Sequence, residues 1–271
     1  VIFKYFGIFK IDVLKAIVVN YFVAFVLGFL SSEKSIVITE IPQQPWFLGA
    51  LILGAMFVSV FFVMAMTAQK NGVSVTSIAG KMSVVIPVFF GIILYKESVS
   101  FLKISGILFA LVAVYLSSVN EEKNTKNGTL LFPILLFLGS GIIDTVLKFV
   151  QTNYVDDRDV SIFSGSLFGI AAIFGLIILG IKTLKKPEKF GYKNILAGVA
   201  LGVPNYFSII FLIKALQIKN FESSTLFTIN NVAIVIVSTL VGLLFFKEKL
   251  IKKNWIGIAL AVISILLVTS A

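Results

Sequence analysis

Nine long apolar runs constrain this chain more than any other feature of its sequence. A helix needs about 20 mostly apolar residues to cross a bilayer, whereas a barrel strand needs about 10 with strict alternation. The runs do not alternate, and in lipid a helix satisfies its own backbone hydrogen bonds. The sequence therefore predicts an all-α polytopic membrane protein. Its apolar runs span residues 13–30, 46–68, 72–95, 100–119, 129–152, 160–182, 190–215, 222–246 and 252–270.

The composition excludes several classes of protein and of site. Hydrophobic residues make up 58% of the chain and charged residues only 13%, against about 25% charged residues in soluble domains. The absence of Cys and His removes disulfides, thiolate and imidazole metal sites, and Ser–His or Cys–His dyads. We therefore expect no cofactor and no metal. The net charge of +10 comes mostly from Lys between the apolar runs, which is typical of membrane flanks and not of nucleic-acid binding.

The two halves of the chain repeat one another at nearly constant offsets. Shifted by 151 positions, Lys96-Glu97 falls on Lys247-Glu248. In both copies an apolar run, an aromatic-Lys-Glu turn and a Gly-bearing run follow in that order. Earlier in the chain the offset is 144, which places Asp12 on Asp156. Two offsets that keep the same order of spans indicate an internal repeat.

The repeat predicts ten helices in one membrane domain. The run at 129–152 opens the second copy, so its partner would end near Phe6, and residues 1–9 are expected to be the end of a truncated first helix. The first five-helix repeat then covers residues 1–119 and the second covers 129–271. Because five is odd, the second copy must enter the membrane from the opposite side. Such an inverted repeat is a common construction of secondary transporters.

Ten helices in two copies, each with an aromatic-Lys-Glu turn before a Gly-rich last helix, resemble the drug/metabolite transporter superfamily. The similarity is greatest to its EamA-like branch and covers the whole chain. The resemblance implies transport of small metabolites or drugs, often export, without ATP. Glu97 and Glu248 match the glutamates of that family after the fourth and ninth helices. From the residues alone, each Glu is expected to complement the dipole of the helix that it enters.

Two charged side chains lie near the centres of predicted spans, Lys81 in the fourth helix and Asp144 in the sixth. Charged groups inside a span cost about 2.5–3.5 kcal/mol on insertion scales and therefore indicate functional positions. We expect Lys81 to bind a carboxylate and Asp144 to bind an ammonium group or a proton, as a zwitterionic substrate would require. The alternative is a structural salt bridge of Asp144 with Lys148, one turn later, or with Lys81.

Five uncharged polar side chains within the spans are further candidates for substrate binding. The 151 offset places Asn230 and Asn231 on Ala79 and Gly80, at depths equivalent to those just before Lys81. The alternative is hydrogen bonding between helices, worth about 0.6–2 kcal/mol. Pro87 and Pro204 are expected to kink their helices. The five candidates are Asn20, Asn205, Tyr206, Asn230 and Asn231.

The predicted function is secondary active transport by alternating access around a central cavity. The expected substrates are small metabolites such as amino acids or drugs, with export as the expected direction and protons as the coupling ion. The expected location is the cell (inner) membrane, with lipid and a small-molecule substrate as partners and no nucleic acid. The alternatives are a channel-like pore and, less favoured, a polytopic membrane enzyme. We expect no enzymatic activity. ATP hydrolysis would require a phosphate-binding loop, which the sequence lacks. A prenyltransferase would require two Asp-rich motifs, whereas this chain has one acidic cluster, at 156–159.

Overall fold

The computed structural model describes residues 6, 9, 11–32, 38–71, 73–118, 130–185, 190–218, 222–246 and 251–270. Within these ranges every regular element is helical, which confirms the all-α prediction. Short 3₁₀ segments cover Ile38–Gln43 and Asp157–Asp159. The α-helices are α1 (Val13–Leu30), α2 (Phe47–Asn71), α3 (Val73–Met82), α4 (Val85–Tyr95), α5 (Phe101–Ser118), α6 (Leu131–Tyr154), α7 (Val160–Lys185), α8 (Tyr192–Leu216), α9 (Ser223–Phe246) and α10 (Lys252–Thr269).

Seven stretches of the described helices are long and apolar enough to cross a membrane. One of them, Ile78–Tyr95, runs through the end of α3 and all of α4. Two further apolar helical stretches are shorter, Phe101–Leu116 in α5 and Ser223–Val237 in α9. All nine predicted runs therefore lie on helices. The chain has the construction of a multi-pass membrane protein.

The predicted fourth helix, residues 72–95, is in fact two helices. Pro87 has no N–H to donate to the carbonyl oxygen of Ser83, four residues before it, and its ring crowds that carbonyl. The N–H of Ile86 bonds to the Ser83 oxygen instead, at 2.9 Å, in a tighter 3₁₀-type turn. The regular helix is interrupted at residues 83–84, one turn before the proline. Pro204, by contrast, lies inside α8, which continues through it.

The chain divides into two compact units, and each unit draws on both halves of the sequence. Unit 1 comprises Val1–Ser59 and Val146–Ile218, and unit 2 comprises Val60–Thr145 and Lys219–Ala271. This division differs from the two sequence repeats, 1–119 and 129–271. Each compact unit therefore contains helices from both predicted repeats.

In unit 1, α1 lies against both α7 and α8. A Cβ at Gly165 of α7 would lie 3.0 Å from the Cα of Gly28, and one at Gly175 would lie 3.0 Å from Val18. Residue numbers rise on α1 as they fall on α7, so these two helices are antiparallel. A Cβ at Gly198 of α8 would lie 2.8 Å from the carbonyl oxygen of Ala16. Glycine thus allows both neighbours to approach the backbone of α1 closely.

Asp12 fixes the beginning of α1. Its Oδ1 accepts hydrogen bonds from the backbone N–H groups of Leu14 and Lys15, and its Oδ2 accepts one from the Lys182 ammonium at 3.2 Å. Burial by itself raises the pKa of Asp12, but the hydrogen bonds from Lys15 and Lys182 outweigh it and hold the pKa below its usual value. Asp12 is therefore a charged N-cap that also ties α1 to the end of α7.

In unit 2, α5 and α10 pack along their length. The hydroxyl of Ser264 donates to the carbonyl oxygen of Gly106 at 2.7 Å, and the amide of Asn254 donates to that of Leu116 at 3.1 Å. The two helices are therefore antiparallel, and both their first and their last residues differ by 151. Their shared core also includes a residue of α9, and comprises Ala110, Ala113, Val232 and Ala261.

Two sequence predictions fall largely outside the described residues. Of the predicted helix end at residues 1–9, only Phe6 and Phe9 are described, and Phe6 is helical and buried. The Lys247-Glu248 turn lies outside the described residues altogether. In the acidic cluster at 156–159, Asp156, Asp157 and Arg158 are exposed, whereas Asp159 is buried.

Candidate substrate-binding site

Lys81 lies in the last turn of α3, directly before the interruption of that span. The hydrogen bonds around this interruption are irregular. The Ser83 hydroxyl donates to the carbonyl oxygen of Gly80 at 2.8 Å, and the backbone N–H of Val84 reaches the carbonyl oxygen of Lys81 only at 3.5 Å. The side chain of Lys81 is half-buried. A charged side chain at a broken helix within a span is the arrangement found at many transporter binding sites.

Asp144 lies in α6, half-buried and one turn after a glycine that brings α4 close. A Cβ at Gly141 would lie only 2.6 Å from the Cβ of Ile86, in the first turn of α4. The absence of a side chain at Gly141 therefore lets α4 approach α6 next to the helix interruption. Sequence reasoning missed this contact, because an isolated Gly within an apolar run does not reveal its neighbour.

The charges of Lys81 and Asp144 act on one another within unit 2. The ion pairs found among the described residues do not include one between these two side chains. The two charges are thus close enough to compensate each other electrostatically without being closed into a salt bridge. Such a pair can receive the opposite charges of a zwitterion, the ammonium at Asp144 and the carboxylate at Lys81.

Lys148 does not have the role that the alternative prediction gave it. Its ammonium donates to the carbonyl oxygen of Leu216 at 3.0 Å, at the end of α8, and to Oε1 of Gln151 at 3.3 Å. A cation at a helix C-terminus satisfies a carbonyl that has no partner in its own helix and complements the dipole. Lys148 is therefore a helix cap, and Lys81 is the charge that acts on Asp144.

The asparagines of α9 also lie in unit 2. Asn231 is buried, and its amide nitrogen donates to the carbonyl oxygen of Phe227 in its own helix at 3.0 Å. Asn230 is half-buried. One N–H of the Asn231 amide is engaged within α9, so its second N–H and its side-chain oxygen are the groups through which it can contact a ligand.

The remaining candidates, Asn20, Asn205 and Tyr206, lie in unit 1. The amide of Asn205 donates to the side-chain oxygen of Asn20 at 3.1 Å, and Asn20 is completely buried. This pair links α8 to α1 and corresponds to the alternative prediction of a hydrogen bond between helices. Tyr206 is also completely buried, and its hydroxyl has no hydrogen-bond partner within the described residues.

Glu97 corrects another expectation, because it caps α9 and not the helix that follows it. Its carboxylate accepts hydrogen bonds from the backbone N–H groups of Ser223 and Ser224 at 2.8 and 3.0 Å, and a further one from the Ser223 hydroxyl. Burial by itself raises the pKa of Glu97, but the hydrogen bonds from Ser223 and Ser224 lower it more, so that the pKa lies below its usual value. Glu97 is a long-range N-cap.

Two further charged side chains surround this cap, and sequence reasoning missed them. The Lys103 ammonium lies 3.9 Å from the Glu97 carboxylate, contacts the carboxylate of Glu222 and donates to the carbonyl oxygen of Ser98 at 3.0 Å. Glu222 also accepts a hydrogen bond from the N–H of Ser98 at 2.8 Å. Lys103 and Glu222 lie at the beginnings of the predicted spans 100–119 and 222–246, on the same side of the membrane, which was the available signal.

The described residues contain no group of three acidic side chains that could hold a metal ion. What the unit 2 site offers is one cation, Lys81, at the interruption of a span and one carboxylate, Asp144, on the helix that approaches it. These groups can bind and release a charged or zwitterionic molecule.

Comparisons with known proteins agree with this architecture. The profile described as the EamA-like transporter family matches residues 131–270. An uncharacterised protein of Haemophilus influenzae is 26% identical over 254 residues, which cover 90% of this chain and 84% of the relative. A protein known from a crystal structure has a similar fold, with a TM-score of 0.74 and 15% identity over 95% of this chain and 87% of its own.

Proposed function

The chain belongs to the EamA-like transporter family, and from that premise we propose that it is a secondary active transporter of small zwitterionic metabolites such as amino acids. The observation that carries this proposal is the position of Lys81 and Asp144, each a few residues from the close contact between Ile86 and Gly141 at the interruption of a span, where their charges act on one another. Lys81 binds the substrate carboxylate. Asp144 binds the ammonium group, or a proton when that group is absent. Export across the cell (inner) membrane is the direction that we propose.

The proposed mechanism is alternating access of an inverted repeat. Two features support the inverted repeat: the bounds of α5 and α10 differ by 151, and the two helices are antiparallel, as equivalent helices of opposite orientation would be. The helices α1 and α7, which are equivalent in the repeat, are also antiparallel. Protons are the proposed coupling ion, because the described residues hold a carboxylate, Asp144, within a span.

Transport by the purified protein in proteoliposomes tests the proposal. Lys81→Met should abolish uptake of radiolabelled amino acids, because it removes the cation that binds the carboxylate while keeping a side chain of similar length. Lys148→Met is the matched control: it removes a lysine that caps α8, and the concentration of substrate at half-maximal rate should stay unchanged. Normal uptake by folded Lys81→Met protein would contradict the proposed site.

The same assay separates a carrier from a channel and from an enzyme. A carrier shows saturation and counterflow, in which unlabelled substrate on one side drives labelled substrate from the other. Flux that rises linearly with concentration would favour a channel-like pore. Chemical conversion of the substrate by the purified protein would favour a membrane enzyme.

A further inference from the structure

The two charges of the proposed site belong to the same compact unit, although they come from different sequence repeats. Lys81 lies in the first repeat and Asp144 in the second, yet both lie in unit 2. A motion that parted the repeats as whole bodies would separate this pair in every cycle. The structure of unit 2 shows how the segments from the two repeats are held together.

The first connection is the cap that Glu97 places on α9. Glu97 follows α4 in the first repeat, and its carboxylate accepts hydrogen bonds from Ser223 and Ser224 in the second repeat. Only 6% of the Glu97 side chain is exposed. A buried carboxylate that lost these donors would be left charged and without hydrogen bonds, which is strongly unfavourable.

The second connection is the ion pair beside that cap. Lys103 of α5 lies between the carboxylates of Glu97 and Glu222, and only 1% of its side chain is exposed. Ser98 donates its N–H to Glu222 from the same turn. Opening this network would leave a buried ammonium without either of its carboxylates.

The third connection lies along α5 and α10. Their backbones approach closely, because a Cβ at Gly106 would lie 3.1 Å from the backbone nitrogen of Val268. The hydroxyl of Ser264 bonds to the carbonyl oxygen of Gly106 between them, completely buried. This contact is independent of the charged network, so the repeats are joined within unit 2 at two separate places.

We propose that the α4, α5, α9 and α10 segments of unit 2 move as one body during transport, held together by the Glu97–Lys103–Glu222 network and by the contact between α5 and α10. This inference rests on the proposed function. It assigns Glu97, Lys103 and Glu222 to a permanent connection and not to a gate.

Chemical cross-linking tests the inference, since the natural chain has no cysteine. Ser98→Cys and Glu222→Cys place thiols on the two sides of the network, where Ser98 is exposed and 34% of the Glu222 side chain is accessible. Because Glu222→Cys itself removes one carboxylate of the network, a bridge formed by a short bis-methanethiosulfonate reagent replaces the lost ion pair with a covalent connection. Uptake of radiolabelled amino acids after cross-linking should equal or exceed that of the same variant before cross-linking. Loss of uptake on cross-linking, with recovery on reduction, would show that the network opens and would overturn the inference.

A second measurement does not depend on transport. Spin labels on Ser98→Cys and Trp255→Cys report the distance across unit 2, because both positions are exposed and lie at opposite ends of the α5–α10 pair. Double electron–electron resonance in nanodiscs should give one narrow distance distribution, with or without amino acids and across pH. Two distances would overturn the inference. If the wild type moves no amino acid, the proposed function fails while this measurement still decides whether these segments of unit 2 form one body.

Discussion

The carboxylate of Glu97 accepts a hydrogen bond from the backbone N–H of Ser223 at 2.8 Å, although 126 residues separate them in the chain. The contact joins the turn after α4 to the first turn of α9. A carboxylate at a helix N-terminus accepts from N–H groups that have no partner in their own helix, and it complements the dipole. The relationship therefore fixes where α9 begins relative to α4.

This cap should make stability depend on pH. The pKa of Glu97 is lower in the folded protein than its usual value of 4.5. Its stabilising contribution is therefore complete above that value and is lost as the pH falls through the folded pKa. Thermal unfolding in detergent should show the wild type losing stability as acid is added below about pH 4.5. Glu97→Gln should unfold at a lower temperature at neutral pH.

Comparing the wild type with Glu97→Gln isolates the contribution of the Glu97 carboxylate to the pH dependence of stability. Lys103 and Glu222 face Glu97 and remain in both. Glu97→Gln should therefore lose less stability on acidification than the wild type does. Parallel pH profiles would show that Glu97 does not supply the pH dependence.

Asn20 and Asn205 should stabilise unit 1 as a pair. Asn20→Ala and Asn205→Ala each remove one partner of the 3.1 Å hydrogen bond between α1 and α8. The double variant should lose less stability than the sum of the two, with a coupling of about 0.6–2 kcal/mol. Thermal or denaturant unfolding of the four proteins measures this coupling. Strictly additive losses would mean that the bond contributes nothing to stability.

Asp144→Asn tests the proposed cation subsite. The amide keeps the shape of the carboxylate but cannot bind an ammonium group by charge or take up a proton. We expect the affinity for zwitterionic substrates to fall and uptake to become independent of a pH gradient. Rates measured with and without an imposed gradient separate the two effects. Uptake that still follows the gradient in the variant would place the proton site elsewhere.

Gly141→Ala should destabilise the protein, because the added Cβ would lie 2.6 Å from the Cβ of Ile86 and would force α4 away from α6. The expected cost is about 1–3 kcal/mol, as in other overpacked interiors. Gly180→Ala in α7 is the matched control, since a Cβ there meets no atom of a neighbouring helix within 4 Å in the described part of the chain. It should leave stability unchanged or raise it by about 0.5–1 kcal/mol, because Ala is the better helix former. Equal effects at both positions would argue against the close approach at Gly141.

The orientation of the chain in the membrane can be predicted from its charges. The loops between predicted helices 1 and 2, 3 and 4, 5 and 6, 7 and 8, and 9 and 10 lie on one side and carry 15 of the Lys and Arg residues. The other four loops lie on the opposite side and carry 7. The positive-inside rule places the first set in the cytoplasm and the end of α10 outside, whereas the family resemblance implies both termini inside. We follow the charges and expect a reporter fused after Ala271 to be inactive if it requires the cytoplasm. An active cytoplasmic reporter there would reverse the assignment.

The sequence by itself determined the class of structure. Apolar runs of 18 to 26 residues must form helices in lipid, because only a helix satisfies the backbone of a single segment. The same reasoning predicted that Lys81 and Asp144 lie within spans, where a charged side chain is costly. It predicted a kink at Pro87 but not two helices, since whether a proline bends or interrupts a helix depends on the neighbours of the freed carbonyl.

Only the tertiary structure decided which polar groups meet. The sequence could not distinguish Lys81 from Lys148 as the partner of Asp144, because a lysine on the same helix is a reasonable partner until packing directs it to the end of α8. It likewise treated Asn20 and Asn205 as separate candidates and assigned Glu97 to the wrong helix. Contacts between helices depend on where backbones approach, and that is set by glycines such as Gly141, whose neighbours are far away in the chain. Hydrophobicity determines that a segment spans the membrane, whereas packing determines which of its faces meets which neighbour.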